Sequence, residues 1–291
     1  MTEPGTYGGP TALRIMLGVH LRRLREEAGI TRTDAGWAIR GSESKISRLE
    51  LGRVGFKERD VADLLTLYGV QDARERDRLL ALAREANDPG WWHRYGDVTP
   101  EWFDAYLGLE ATAELIRTYE IQFVPGLLQT ADYARAVAQL SPSGPRADSE
   151  IERLVALRRR RQRALDREPP LKLWAVIEEA VLHRPIGGTA VLRDQLDALR
   201  QAITRPNVTV QIIPLESSGH AATGGAFSLL RFPQRDLPDI VYLEHLTSAL
   251  YLDKRDDVET YTQALDLLAS TSPSPQRTEQ QLTRLLERLP A

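Results

Sequence analysis

Side chains suited to reading nucleic acid are concentrated in residues 42–52, with the sequence SESKISRLELG. Ile46 and Leu49 are three residues apart, so a helix over this segment would bury both of them on one side. Its start and its outward side would then carry the polar side chains Ser42, Glu43, Ser44, Lys45, Ser47 and Arg48. Hydroxyl, carboxylate, ammonium and guanidinium groups suit base edges and phosphates. The alternative interpretation is a solvated helical face that has no partner.

The flanking pattern predicts the elements that would position this helix. Leu17, Leu21 and Leu24 lie on one face of a first helix, and Gly29 follows that helix where a left-handed residue is favoured. Thr31 and Asp34 form an N-cap pair for a second helix that ends near residue 39. After a short turn at residues 40–42, a helix capped by Ser42 can enter the DNA major groove. Two more helices, at residues 57–68 and 73–86, complete a five-helix head.

Residues 42–52 and the preceding LRRLREEAGIT at residues 21–31 resemble the lambda-repressor/Cro-type regulators, the xenobiotic-response-element helix-turn-helix family. The resemblance implies base contacts from Glu43, Ser44 and Arg48. It also implies phosphate contacts from Arg32, which starts the second helix, and from Lys45.

The same resemblance implies that Arg25 and Glu50 pair and so join the first helix to the end of the third. Two positions depart from the family's pattern. Ala35-Gly36 replaces the usual bulky-then-small pair, and Trp37 stands where a polar residue is common. A carboxylate at Glu43 repels phosphate, so in a base contact it would accept from a cytosine amino group.

Acid–base or metal chemistry elsewhere in the chain would depend on the histidines and carboxylates His183, His220, His245, Glu178, Glu179 and Glu244. These residues form no HExxH motif or paired-carboxylate arrangement, and no serine elbow is present. The chain has no cysteine, which excludes a disulfide framework, a thiolate metal site and a cysteine nucleophile. We therefore expect no enzymatic activity, cofactor or metal. An undetected activity of the C-terminal domain is the alternative.

Three groups of residues are candidates for binding a ligand or a partner: Trp91 and Trp92; Gly219, His220, Gly224 and Gly225; and Arg158 and Arg159. The tryptophans indicate a packed hydrophobic seam, or alternatively a surface on which a ligand stacks. The glycines form a loop between two predicted strands, which indicates either plain turns or closure over a ligand. The arginines belong to an Arg-rich helix, which is either a solvated face or a docking site for an acidic protein.

The charge of the chain is divided unevenly. Residues 1–70 carry 11 Lys and Arg against 9 Asp and Glu, whereas the remaining residues carry 27 against 32. A basic head on an acidic body is compatible with local DNA contact and not with coating a polyanion. No apolar run reaches the roughly 18 residues of a membrane span, and the N-terminus lacks the features of a signal peptide. A cytoplasmic protein without membrane association is expected.

Periodicity in the rest of the chain indicates an α+β domain. Helices are predicted at residues 102–120, 127–140, 147–167, 191–203 and 258–268, with an amphipathic tail at 282–289. Strands are predicted at residues 171–177, 208–213, 227–232, 240–244 and 249–252. The strand–helix–strand order over residues 171–213 predicts a parallel pair, and the three later strands predict antiparallel neighbours.

The predicted fold class is therefore multidomain: an all-α helix-turn-helix N-terminal domain plus an α+β C-terminal domain with a small mixed sheet flanked by helices. The predicted divisions are a flexible tail (1–12), the DNA-binding domain (13–86), an aromatic connector (87–100) and a regulatory domain (101–291).

The C-terminal region also resembles a known family. Tyr119-Glu120, FVPGLLQT at 123–130, EEAVLHRPIGG at 178–188, PNVTVQIIP at 206–214 and GHAATGGAFSLLRFP at 219–233 are similar to the uncharacterised domain that accompanies this helix-turn-helix in actinobacterial regulators, including WhiJ-like ones. The resemblance implies a transcriptional regulator with a sensing domain and a small acidic antagonist protein as a possible partner.

We expect a dimeric repressor that binds double-stranded operator DNA and responds to a partner protein or a small-molecule effector. The alternative is the DNA-binding component of a toxin–antitoxin-like pair.

Overall fold

The computed structural model describes residues 10–52, 54–88, 90–140, 144–217, 219, 222, 224–233 and 237–289. Residues 1–9 of the predicted flexible tail (1–12) lie outside the described part. Residues 10–12 form the start of helix α1. Contacts within the chain define two units. The head unit comprises Met1–Arg94, Asp104–Thr112 and Pro233–Leu237, and the body unit comprises Tyr95–Phe103, Ala113–Phe232 and Pro238–Ala291.

The five predicted helices of the head are confirmed. They are α1 (Pro10–Glu27), α2 (Arg32–Ala38), α3 (Glu43–Glu50), α4 (Glu58–Leu67) and α5 (Ala73–Glu85). Both predicted N-caps are present, because Thr31 accepts from the Asp34 amide at 3.1 Å and Ser42 accepts from the Lys45 amide at 3.2 Å. The buried apolar core includes Leu17, Leu21, Ile39, Ile46, Leu49, Val61, Leu64, Leu65 and Leu79.

The prediction of one helix over residues 102–120 is wrong in its second half. Helix α6 (Glu101–Thr112) ends early, and strand β1 (Leu115–Glu120) follows it. Ile116, Thr118 and Tyr119 are all buried, because β1 is an interior strand that is covered on both faces. No glycine or proline separates α6 from β1, so the sequence carries no local signal that the helix ends there.

The predicted helix at residues 127–140 begins later than expected. Residues Gly126–Leu128 form a short 3-10 turn, and α7 (Ala131–Gln139) starts after Thr130, whose hydroxyl accepts from the Tyr133 amide at 3.2 Å. The remaining body helices are α8 (Asp148–Gln162), α9 (Thr189–Ala202), α10 (Arg255–Thr271) and α11 (Thr278–Arg288).

The body contains a mixed sheet with the strand order β3-β2-β1-β4-β5-β6. Its other strands are β2 (Lys172–Glu178), β3 (Val208–Ile213), β4 (Phe227–Arg231), β5 (Ile240–Glu244) and β6 (Ala249–Leu252). The pairs β1–β2 and β2–β3 are parallel, while β1–β4, β4–β5 and β5–β6 are antiparallel. This confirms the predicted parallel pair and its antiparallel neighbours. One face of the sheet packs Phe227, Leu229 and Val241 against Leu265 and Leu268 of α10.

Candidate nucleic-acid interface

Helix α3 turns most of the predicted base-reading residues toward solvent. Ile46 and Leu49 are buried in the head core, whereas Ser42, Glu43, Ser44 and Arg48 are exposed. Lys45 and Ser47 are half-buried. The helix therefore presents hydroxyl, carboxylate and guanidinium groups along one surface, while its opposite side is fixed by apolar packing.

The turn before α3 accounts for the glycine at position 36. The Gly41 amide donates to the Gly36 carbonyl at 2.8 Å, and Arg40 has a positive φ of 52°. A Cβ atom at Gly36 would lie 3.0 Å from the carbonyl carbon of Ser42. Because α2 and the turn approach each other this closely, the glycine allows α3 to begin directly beside α2.

The predicted pair of Arg25 and Glu50 is present, and Arg32 joins it. The Arg25 Nε donates to Glu50 Oε1 at 2.5 Å, and the Arg32 Nε donates to Glu50 Oε2 at 2.9 Å. Arg25 and Glu50 are only 7% and 4% exposed. The hydrogen bond to Glu50 raises the pKa of Arg25. One buried carboxylate at the end of α3 thus links α3 to both α1 and α2.

The two predicted phosphate contacts are ion-paired within the head. Arg32 contacts Glu50, and the Lys45 Nζ lies 2.6 Å from Oδ2 of Asp60, whose side chain is 3% exposed. Arg48 differs, since its Nε donates to the Ser44 carbonyl at 3.3 Å and no ion pair of Arg48 occurs within the described residues. Among the described residues, Arg48 is therefore a cation of α3 whose position no ion pair fixes.

Trp37 is unusually exposed for a tryptophan, which the sequence pattern did not predict. Its side chain on α2 is 79% exposed, although large aromatic residues are usually buried. The available signal was a large aromatic residue at a position where the family commonly has a polar one.

The two tryptophans of the connector form a packed arrangement. Their rings meet edge to face with centroids 5.8 Å apart, and Trp92 is buried. A Cβ atom at Gly90 would lie 2.4 Å from the Trp92 ring, so the indole covers the backbone directly. This geometry favours the packing interpretation of Trp91 and Trp92 over ligand stacking.

The glycine-rich loop is described only in part, and His220 lies outside the described residues. Gly219 and Gly225 have positive φ values of 141° and 95°, and Gly224 is exposed. Such backbone angles explain the glycines as turn residues. Capture of a ligand by this loop stays a prediction.

The Arg-rich helix α8 spreads its cations around its circumference. Arg159 is exposed, whereas Arg158 donates a hydrogen bond to Oε1 of the buried Gln129. Arg161 lies over the ring of Phe103 at 5.3 Å, and Arg153 pairs with Asp97. Arg158 and Arg159 therefore do not form one common binding surface.

The possible catalytic residues that the structure describes lie in two places: Glu178, Glu179 and His183 lie at or just after the end of β2, and Glu244 and His245 lie at the end of β5. His183 lies 3.1 Å from Glu179, while Glu244 accepts from the Tyr242 hydroxyl at 2.9 Å. The described residues include no group of three or more His, Asp or Glu placed to hold a metal ion. No helix in the described part of the chain is long and apolar enough to cross a bilayer.

Comparison with protein families gives two matches. Residues 16–79 match the family model of a helix-turn-helix domain, which spans α2 and α3. Residues 103–284 match a domain of unknown function, DUF5753. Searches of curated proteins and of solved structures found no match. Because the second match spans well over half of the chain, the protein belongs to the DUF5753 family and joins that domain to an N-terminal helix-turn-helix DNA-binding domain.

Proposed function

We propose that this protein is a sequence-specific transcriptional regulator whose helix α3 lies in the major groove of operator DNA. One observation carries the proposal. In a helix-turn-helix domain, α3 exposes Ser44 and Arg48 to solvent while Ile46 and Leu49 anchor its opposite side. A helix held in this way can present its side chains to base edges without rearrangement.

The exposed groups of α3 differ in the bases they suit. The Arg48 guanidinium suits the O6 and N7 acceptors of guanine. The Ser44 hydroxyl can donate to an acceptor or accept from a donor on a base edge. The Glu43 carboxylate suits the amino group of cytosine. Ser42 and Ser47 add hydroxyl groups beside them. Arg48 is the residue on which we expect specificity to depend most.

Phosphate contacts from Arg32 and Lys45 are compatible with their ion pairs. Arg32 uses its Nε on Glu50, so its two terminal nitrogens can donate to a phosphate. The Lys45 ammonium donates once to Asp60 and has two further hydrogens. The carboxylates of Glu50 and Asp60 therefore orient the two cations. Contacts from these cations to the DNA phosphates would fix the register of α3 on the duplex.

We further propose that the protein acts as a dimeric repressor in the cytoplasm and that the body unit regulates the head. One small head buries little DNA surface, so two copies on a two-fold operator give stronger binding and greater specificity. The sequence resemblance to WhiJ-like actinobacterial regulators supports control by a small acidic partner protein or by a small-molecule effector.

A salt titration of DNA binding tests the role of α3. Arg48→Ala should lower affinity for the selected operator by about 1–3 kcal/mol and relax one position of the site. Arg78→Ala, which removes an exposed arginine from α5, is the matched control and should change affinity little. Equal affinities of wild type and Arg48→Ala for the operator would show that α3 does not read it.

A further inference from the structure

The body unit contains a cleft between its sheet and the carboxyl end of α10. Trp174 of β2 and Gln211 of β3 line it from the sheet face that α10 covers, and the last turns of α10 with the segment that follows line the rest. Its volume is about 420 Å³. Sites for small molecules usually span about 300–1,000 Å³. Asp266, Ser270 and Ser274 at its rim are exposed, so a ligand can enter from solvent.

The two side chains that the sheet contributes are held in place by several contacts. The Trp174 indole N–H donates to Oε1 of Gln211 at 2.8 Å. The Gln211 side-chain nitrogen donates to the carbonyls of Ala269 and Pro273 at 2.9 and 3.0 Å. The Arg117 guanidinium lies over the Trp174 ring, 5.0 Å from its centroid. Because the indole and the amide are already ordered, a ligand that packs on them loses less entropy in binding.

The polar side chains of the cleft have committed their hydrogens and keep acceptors for a ligand. The Ser270 hydroxyl donates to the Leu267 carbonyl at 3.0 Å. The Ser272 hydroxyl donates to the Leu268 carbonyl at 2.6 Å. A hydroxyl whose single hydrogen is used offers only its lone pairs, and the amide and indole hydrogens of the cleft are used as well. The Ser274 hydroxyl, which makes no hydrogen bond within the described residues, can also accept. A ligand in this cleft must therefore supply the donors.

The charge at the rim of the cleft favours a cationic donor. Asp266 is the one charged residue among the described residues that line the cleft, and Arg117 does not line it. Oδ1 of Asp266 pairs with Nη1 of Arg117 at 2.7 Å, whereas Oδ2 accepts no hydrogen bond in the described part of the chain. The Asp266 side chain is 63% exposed, so Oδ2 is open to a ligand. The carboxyl end of α10 adds the negative end of a helix dipole.

We infer that this cleft binds a small primary ammonium ion with an apolar body. The ammonium donates to Oδ2 of Asp266 and to the serine hydroxyls of the rim, and its three hydrogens match a site made of acceptors. The apolar body packs against the Trp174 ring and the Pro275 side chain. The inference deepens the proposed function, on which its regulatory meaning rests, because it names the chemical class and the site of an effector.

Calorimetric titration of the full-length protein with phenethylamine, tryptamine and hexylamine tests this inference. At least one amine should bind with a Kd of about 1 mM or lower, and its alcohol analogue, which lacks the charge, should bind about tenfold or more weakly. Asp266→Asn should weaken amine binding about tenfold or more. Ser270→Trp, which places a large ring at the exposed rim, should block the cleft and abolish binding. Asp256→Asn, which removes an exposed carboxylate from the other end of α10, is the matched control and should leave binding unchanged.

The outcomes separate this inference from the proposed function. No binding of any of the three amines at about 10 mM, or equal binding of an amine and its alcohol, would overturn the inference. Binding that is unchanged in Asp266→Asn, or in Ser270→Trp, would also overturn it, and thermal unfolding shows that each variant is folded. Operator binding measured without amine tests α3 independently. Failure of DNA binding would overturn the proposed function and leave a measured ammonium site intact.

Discussion

At the residue scale, the position of α3 depends on the buried Glu50 carboxylate, which is paired with two arginines. Glu50 accepts from Arg25 of α1 and from Arg32 of α2, so one side chain fixes three helices relative to one another. A sequence pattern predicts the Arg25–Glu50 pair from resemblance. It does not predict that Arg32, expected on phosphate, shares the same carboxylate, because that requires the distance between α2 and the end of α3.

Lys45 has a structural role that its proposed phosphate contact alone would not suggest. Lys45→Ala leaves the buried Asp60 carboxylate without its closest cation, 2.6 Å away in the wild type. We expect a loss of about 2 kcal/mol in unfolding free energy, measured by denaturant titration.

The double variant Lys45→Ala/Asp60→Asn separates the two roles of Lys45. It should recover most of the lost stability, because no buried charge is left unpaired. Its affinity for all DNA sequences should still fall, with a salt slope reduced by about one. A double variant with the wild-type salt slope would rule out a phosphate contact from Lys45.

Glu120 gives stability a dependence on pH. Its pKa in the folded protein is about 7, above the ordinary value of 4.5, so the folded state retains a proton that the unfolded chain releases. Stability should therefore fall as pH rises from about 5 to 7 and level off above that. Burial is the main cause of this raised pKa, and the charge of Glu244 on β5 adds to it. The hydrogen bond from Thr118 and the positive charges of Arg158 and Arg161 on α8 oppose the rise.

Glu120→Gln tests this linkage, since glutamine does not titrate. Relative to wild type, the variant should gain of the order of 2 kcal/mol between pH 5 and 8, measured by urea unfolding at each pH. The tyrosine nearby on α7, Tyr133, has a raised pKa and stays neutral over this range. A difference between variant and wild type that does not change with pH would contradict the assignment.

At the element scale, sequence patterns predicted the head helices with their caps at Thr31 and Ser42, and every strand of the sheet except β1. The strand Val208–Ile213 is buried on both faces, and its β-branched residues identified it. Strand β1 was missed because residues 110–115, where α6 gives way to β1, contain no glycine or proline that would signal the end of the helix. The start of α7 was misplaced because the Thr130 cap is a weaker signal than the run of leucines before it.

The crossing of α1 and α3 depends on a glycine that periodicity does not single out. A Cβ atom at Gly18 would lie 2.6 Å from the carbonyl oxygens of both Leu49 and Glu50. Gly18→Ala should therefore force α1 and α3 apart and cost about 2 kcal/mol or more in unfolding free energy. Gly224→Ala, where a Cβ atom meets no other group within 4 Å, is the control and should change stability by less than about 0.5 kcal/mol.

At the scale of the whole molecule, the chain joins a DNA-binding module to a larger domain of a family whose function is unknown. Resemblance predicted a helix-turn-helix domain followed by a larger C-terminal domain. The surroundings of Glu120 could not be predicted in the same way, because Arg158 and Glu244, whose charges affect its pKa, come from α8 and β5. Only the three-dimensional fold of the body unit relates residues so far apart in sequence.

Selection of bound duplexes from a random pool by the full-length protein tests most directly whether α3 reads operator DNA. We expect an enriched two-fold site whose half-sites lie about one helical turn apart, with one position in each half-site relaxed by Arg48→Ala. A folded protein that enriches no sequence, or one whose enriched site is the same with and without Arg48, would contradict it.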